Sequence, residues 1–339
     1  MGRFLGVDAA RTAAIIGMIL LHTVPPAELS SIPIIGILCE SNRPQLLFAL
    51  LDGVALGIIS SGVNLPSQKR EMSRRIGIRG IFLIALGLFL GTFASGVVII
   101  LDYYGVYFLL VIPLLFARWR TLLLTAIVIA AVGPIVVWLT YLALDGVILP
   151  GYLQLLASWL VLGQYPAVVW MAYVLLGIVL TRCGFFSPLA TRMACWIGVL
   201  ALAGATVSTL LELPDPLGVV VENVAAGGAA FVSVWGLVRV LRALDLNRRH
   251  ARYGRIIFAM GVVPLSVYTV HVIVISIIVQ STGVGGLQSI ATLGMTLFVC
   301  QVGASAWLMF ARRGPLEQVS TWLSVPRLLD ARAPIVERT

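Results

Sequence analysis

The sequence predicts an all-α, polytopic integral membrane protein of about ten transmembrane helices, with one extra short interfacial or re-entrant helix. Three observations carry this. Of the 339 residues, 60% are hydrophobic and only 11% charged, and the mean hydropathy is +1.04, which excludes a soluble domain. Apolar runs near the length of a span, roughly 20 residues each, are centred near residues 18, 55, 88, 110, 132, 174, 202, 230, 267 and 299. Charge then sorts by side. With a cytoplasmic N-terminus and alternating spans, all of the 23 Lys and Arg except Arg43 lie on the inner side or within a turn of it. Glu28, Glu40, Asp102, Asp145, Glu212, Asp215 and Glu222 lean outward. Both termini are therefore predicted inside a multi-pass cell membrane protein, and the net charge of +9 reads as topogenic rather than nucleic-acid binding.

Residues 1–311 read as a single transmembrane domain and 312–339 as a cytoplasmic C-terminal tail. In the first span Asp8 is placed to cap the helix, Arg11 follows one turn on, and Pro25-Pro26 ends it. No small-residue cleavage site follows, so this span is expected to stay in the mature protein. Asn42 and Pro44 signal the start of the second span. It holds Asp52 beside Gly53 and Gly57, small residues that let helices approach closely. Lys69, Arg70, Arg74, Arg75 and Arg79, offset by Glu71, form the first basic inner loop.

The third span is expected to run to Ile100, where an outer turn, Leu-Asp-Tyr-Tyr-Gly-Val-Tyr, carries Asp102, Tyr103, Tyr104 and Tyr107. The fourth ends at Arg118-Trp119-Arg120 and the fifth contains Gly133-Pro134, a kink signal. The run at 152–164 is too short for a span and reads as interfacial or re-entrant. Tyr165 and Trp170 open the sixth span at its outer end, and Glu222 sits in the first outer turns of the eighth. Pro264, Tyr268 and His271, at i, i+4 and i+7, share one face of the ninth. With Cys39 the one cysteine predicted outside, an intrachain disulfide is not expected. There is no metal-ligand spacing, glycine-rich nucleotide fingerprint or Gly-x-Ser-x-Gly elbow.

Setting the topogenic arginines aside leaves a narrow constellation. His22, Asp52, Asp102, Glu222 and His271 all fall in the outer half of the membrane or at its outer surface. Arg11 and His22 share one helix face about 16 Å apart. Intramembrane ionisable groups are costly, and they mark functional sites by default. An imidazole near a carboxylate suits general-base chemistry, and it equally suits the proton relay of a transporter. Each group also has a plainer reading: a histidine bonded to a neighbouring helix, a carboxylate locking two spans, tyrosines in an interfacial belt. For the 69–79 arginines the plain reading is topogenic, with phosphate binding as the second possibility, since guanidinium forks match phosphate oxygens.

The order Arg-x-x-Gly-Val-Asp-Ala-Ala-Arg…Gly-Met-Ile-Leu-Leu-His in the first span resembles the opening of the YeiB-type and heparan-α-glucosaminide N-acetyltransferase-like membrane proteins. The resemblance continues through Leu47 to Gly53, Tyr103 to Phe108, Tyr165-Pro166-Ala167, Leu265 to His271 and Arg312-Arg313-Gly314-Pro315-Leu316-Glu317. The Arg11-x10-His22 spacing is also similar to that of the broader acyltransferase-3 proteins. One departure stands out: Arg75 and Arg79 are spaced Arg-x-x-x-Arg, where those proteins carry Arg-x-x-Arg.

The resemblance implies transfer of an acyl group, typically acetyl from acetyl-CoA on the cytoplasmic side, to a sugar or lipid-linked acceptor on the far side. It maps the catalytic first-span histidine onto His22. The expectation is then that neutral His22 acts as general base, oriented by Asp52 or Asp102 and assisted by His271. Arg11, Arg74, Arg75 and Arg79 would hold the phosphates of acyl-CoA. Arg43, Tyr103, Tyr104, Tyr165, Trp170, Glu222 and Tyr268 would line the acceptor site, with no metal. The partners expected are membrane lipids and a small-molecule or lipid-linked glycan acceptor, not nucleic acid, and a homo-oligomer is compatible with this. The alternatives are a proton-coupled secondary transporter or lipid flippase using His22, Asp52 and His271, and a membrane scaffold.

Overall fold

The computed structural model describes residues 5–25, 28, 42–94, 97–184, 251–283 and 289–324, together with scattered positions between 192 and 236 that include 224–230. Among them the chain is all-α. The first apolar run has no proline before Pro25 and forms α1 (Leu5–Thr23). Asn42, in the left-handed region at φ 60°, and Pro44 open α2 (Arg43–Ser60); asparagine is among the few residues that tolerate this φ. There follow α3 (Pro66–Gly91), α4 (Leu101–Val111) with a 3₁₀ turn at Ile112–Leu114, and α5 (Trp119–Ala143). Next come α6 (Gly151–Ala157), which widens into a π turn over Ser158–Leu162, and α7 (Ala167–Arg182). The C-terminal part holds α8 (Ala251–Ile257), α9 (Ala259–Val262), α10 (Pro264–Thr282), α11 (Ile290–Phe310) and α12 (Pro315–Ser324).

Five of these helices, α1, α2, α5, α10 and α11, are long and apolar enough to cross a membrane. The number is six if Gly151–Leu162 and Ala167–Arg182, bent by 50°, form one broken span. The apolar runs near 88 and 110 are α3 and α4. Neither meets the length and polarity of a span by itself, because α3 devotes its first turns to charged residues and α4 is short. The runs near 202 and 230 lie outside the described residues apart from the helical stretch at 224–230.

Three local expectations change. Asp8 does not precede the first helix; it lies inside the first turn of α1 and is buried. The third helix stops at Gly91, not Ile100, and residues 97–100 are irregular. The Leu-Asp-Tyr-Tyr-Gly-Val-Tyr stretch is the start of α4, not a turn. Every residue from Leu101 to Phe108 is buried, and a buried backbone needs its hydrogen bonds satisfied internally, which a helix achieves.

Glycines set the packing where backbones touch. A Cβ on Gly53 would overlap the Val174 carbonyl, and one on Gly177 would overlap the Leu50 carbonyl, so α2 and α7 cross without side chains between them. Gly133 does the same for α5 against the Val168 carbonyl of α7, and Gly80 with Gly105 for α3 against α4. At the start of α1, Gly261 lies against the Asp8 carbonyl, and its N–H donates to Thr12 Oγ1 at 2.9 Å. In a lipid solvent such contacts, rather than water exclusion, hold helices together. They fix α1, α2, α7 and α9 tightly enough to position side chains at both ends of the bundle.

Candidate functional site

The last turn of α1 and the second turn of α10 bring His22 and His271 together. Their rings stack with centroids 6.0 Å apart and planes 18° from parallel. His271 is fully buried, and neither ring nitrogen has a hydrogen-bond partner. Buried polar atoms are nearly always paired, and unpaired ones concentrate where chemistry occurs. Tyr268, one turn before His271, meets its ring edge-on at 4.8 Å. The Tyr268 hydroxyl accepts a hydrogen bond from the Ile100 N–H at 3.1 Å, which ties α10 to the entrance of α4.

The carboxylates expected to orient His22 are engaged elsewhere. Asp102 Oδ2 accepts from the Trp159 indole at 2.7 Å, so the π turn after α6 reaches in to hold it. Asp52 lies in the electrostatic reach of Arg11 and Arg79. The tyrosines form a buried block rather than an exposed loop. Tyr104 donates to the Gln45 carbonyl at 2.9 Å, and Tyr107 donates to the Tyr165 carbonyl. Tyr165 packs edge-on against Tyr103 at 5.5 Å and Trp170 at 5.0 Å. Tyr165 and Trp170 are 2% and 5% exposed, which rules out an interfacial belt. Arg43 is buried at the start of α2. Glu222 lies outside the described residues.

At the end of the bundle where α3 begins, a cavity of about 430 Å³ is lined by Arg75, Arg79, Arg313 and Glu317 on its polar side and by residues such as Leu56 and Phe108 on its apolar side. The Arg79 guanidinium sits 5.3 Å from the Phe108 ring centroid, a cation–π contact that fixes its direction. Arg79 also lies in the electrostatic field of Asp52, Arg11 and Glu317. Tyr104 packs edge-on against Phe48 at 5.7 Å and against Tyr107 at 5.4 Å.

Arg74 is committed to other partners. Its Nε is 3.0 Å from Glu71 Oε2, and it donates to the Ser324 carbonyl at 3.4 Å. Arg75 reaches Glu71 Oε1 at 2.7 Å. Hydrogen bonds from these two arginines hold the Glu71 carboxyl down at about 2, so it stays ionised.

No protein-family model, curated protein or solved structure matches this chain. The geometry is therefore what speaks for a role. It brings His22, His271 and Tyr268 into one group, and Arg75 and Arg79 into one cavity. Three residues escaped the sequence reading of the site: Arg313, Glu317 and Trp159. The run Arg312 to Glu317 carried a signal for the first two, because a glycine and a proline follow the basic pair. Trp159 had only the odd length of its segment.

Glu317 makes an unusual set of bonds. Its Oε1 accepts from the N–H groups of Leu265 at 2.8 Å and Ser266 at 3.2 Å, and its Oε2 accepts from the Ser266 hydroxyl. The Leu316 N–H donates back to Ser266 Oγ at 3.1 Å. The orphan donors at the start of α10 are thus capped by a carboxylate from a different helix.

Proposed function

We propose that this chain is an integral membrane acyltransferase of the YeiB-type and heparan-α-glucosaminide N-acetyltransferase-like kind, spanning the membrane about ten times with both termini inside. It would carry an acyl group, acetyl in the simplest case, from cytoplasmic acyl-CoA to a sugar or lipid-linked acceptor on the far side. The observation that carries this reading is the stack of half-buried His22 on buried His271, with Tyr268 against it, in a bundle that also holds an arginine-lined cavity.

In the reaction, neutral His22 takes the proton of the acceptor hydroxyl or amine as its heteroatom attacks the thioester carbonyl. The new ester or amide bond forms and the carbon–sulfur bond breaks. The thiolate of CoA leaves with the electron pair and recovers the proton from the His22 imidazolium. Tyr268 and His271 support the charge that develops on the carbonyl oxygen. Arg75, Arg79 and Arg313 match the phosphates of the CoA by charge-assisted, two-pronged hydrogen bonds. The volume of the cavity is within the range of small-molecule sites.

The test is a melting curve of the purified protein with a panel of CoA thioesters. Binding at about 100 times Kd would add ~2.7 kcal/mol of apparent stability. The correctly folded His22→Ala variant is expected to keep that shift and lose acyl transfer; transfer at the wild-type rate would refute the role of His22. A second reading, proton-coupled transport, draws on the unpartnered nitrogens of His271 and on the buried Asp52. Proteoliposome flux that follows a proton gradient and ignores every CoA ester would favour it.

A further inference from the structure

We infer that Glu317, on the C-terminal helix α12, is a positioning residue for the histidine pair. It holds the first turn of α10 and thereby sets where Tyr268 and His271 stand. The bonds are all to the first turn: Leu265 N–H, Ser266 N–H and the Ser266 hydroxyl. Tyr268 follows Leu265 by three residues and His271 follows it by six, so the anchored turn lies within about 9 Å of both residues along the axis of a rigid helix.

Two further features show that the anchorage is built for this place. Gly314 leaves the room that the carboxylate occupies: a Cβ there would overlap Glu317 Oε2 and crowd the Ser266 hydroxyl. Ser266 Oγ accepts from Leu316 N–H while donating to Glu317, closing a loop of bonds between α10 and the chain entering α12. Glu317 is also a wall of the arginine cavity, beside Arg313 and in the field of Arg79. One carboxylate therefore touches both the charged cavity and the helix that carries His271. An anion entering the cavity would sit beside Glu317 as well as Arg79 and Arg313, and its charge would act on the carboxylate that caps α10.

This coupling rests on the proposed phosphate-binding role of the cavity, whereas the anchoring itself does not. The experiment uses the full-length protein in nanodiscs and compares wild type with Glu317→Ala, Glu317→Gln and Ser266→Ala. Amide exchange at Leu265 to Tyr268 is measured by mass spectrometry, along with the rate at which an imidazole acylating reagent modifies His271 and His22, at matched fractions folded. Glu317→Ala is expected to raise both exchange of that turn and His271 modification about tenfold.

Glu317→Gln keeps a carbonyl acceptor for the two N–H groups and is expected to restore most of the protection. A merely structural docking of α12 would lower the melting temperature without moving His271 modification, and that result overturns the proposal. If Glu317→Ala does not fold, Ser266→Ala, which removes one hydroxyl, gives the same readout on a smaller scale. Coenzyme A then serves as the probe for coupling. It should alter exchange of the α10 turn in wild type and not in Glu317→Ala. A wild-type protein that ignores coenzyme A, with the anchoring intact, refutes the acyl-CoA reading and the coupling but not the positioning role.

Discussion

At the scale of single residues, the site is a set of buried hydrogen bonds with few spare partners. The Tyr268 hydroxyl is what the Ile100 N–H meets, and the Trp159 indole is what Asp102 meets. Removing either leaves a buried group unsatisfied, a cost of about 1–3 kcal/mol. Tyr268→Phe and Trp159→Phe are accordingly expected to lower stability by that order in denaturation of the purified protein. A change below a few tenths of a kcal/mol would mean the bonds do not form. The sequence marked His22, His271, Tyr268 and Asp102 as notable, because ionisable and hydroxyl groups in apolar runs demand a reason. It could not tell which pairs meet. Helical spacing relates residues within one span, but the stacking of His22 on His271 spans 249 residues and depends on how α1 and α10 are laid side by side. Asp102 was expected beside a histidine and is held by an indole whose segment had no readable pattern.

At the scale of helices, glycine contacts decide which elements touch backbone to backbone. Gly53→Ala and Gly177→Ala each put a methyl group into a carbonyl of the facing helix, so each is expected to destabilise by about 1–3 kcal/mol. Gly294→Ala, on α11 where a Cβ meets open space, is the contrast and should be neutral or stabilise by up to ~1 kcal/mol. Equal effects at all three positions would refute the packing argument. Gly53 and Gly57 were legible as contact residues from their spacing beside Asp52. The course of α4 was not, since Asp-Tyr-Tyr-Gly reads as a turn until burial on every side is known. The start of α1 was misjudged for a similar reason: a carboxylate four residues into an apolar run looks like a cap, yet here Asp8 is buried among residues already helical.

For the whole molecule, the apolar runs made an all-α chain with several membrane-length helices readable from the sequence. The arginine cavity lies at the end of the bundle where α3 begins, and the histidine pair is formed by the last turn of α1 and the second turn of α10. The positive-inside rule predicts that the cavity faces the cytoplasm, and that orientation is open to a direct test. In a cysteine-free background, a single cysteine placed at Thr321 on the cavity rim should react with a membrane-impermeant maleimide in inside-out vesicles and stay unlabelled in right-side-out ones. The reverse pattern would invert the topology and detach the cavity from any cytoplasmic ligand. The cavity itself was only half legible, because one wall comes from α3 and the other from α12, which read as a tail.

The crossings at Gly53, Gly57, Gly133 and Gly177 have a mechanical implication. With no side chains between them to act as bearings, α2, α5 and α7 cannot slip past one another by a residue without driving methyl groups into carbonyls. They form one interlocked slab. α10 has no such backbone-on-backbone crossing among the described glycines; its first turns are held through Glu317, Ser266 and the Tyr268 hydroxyl, so its place in the bundle depends on side chains.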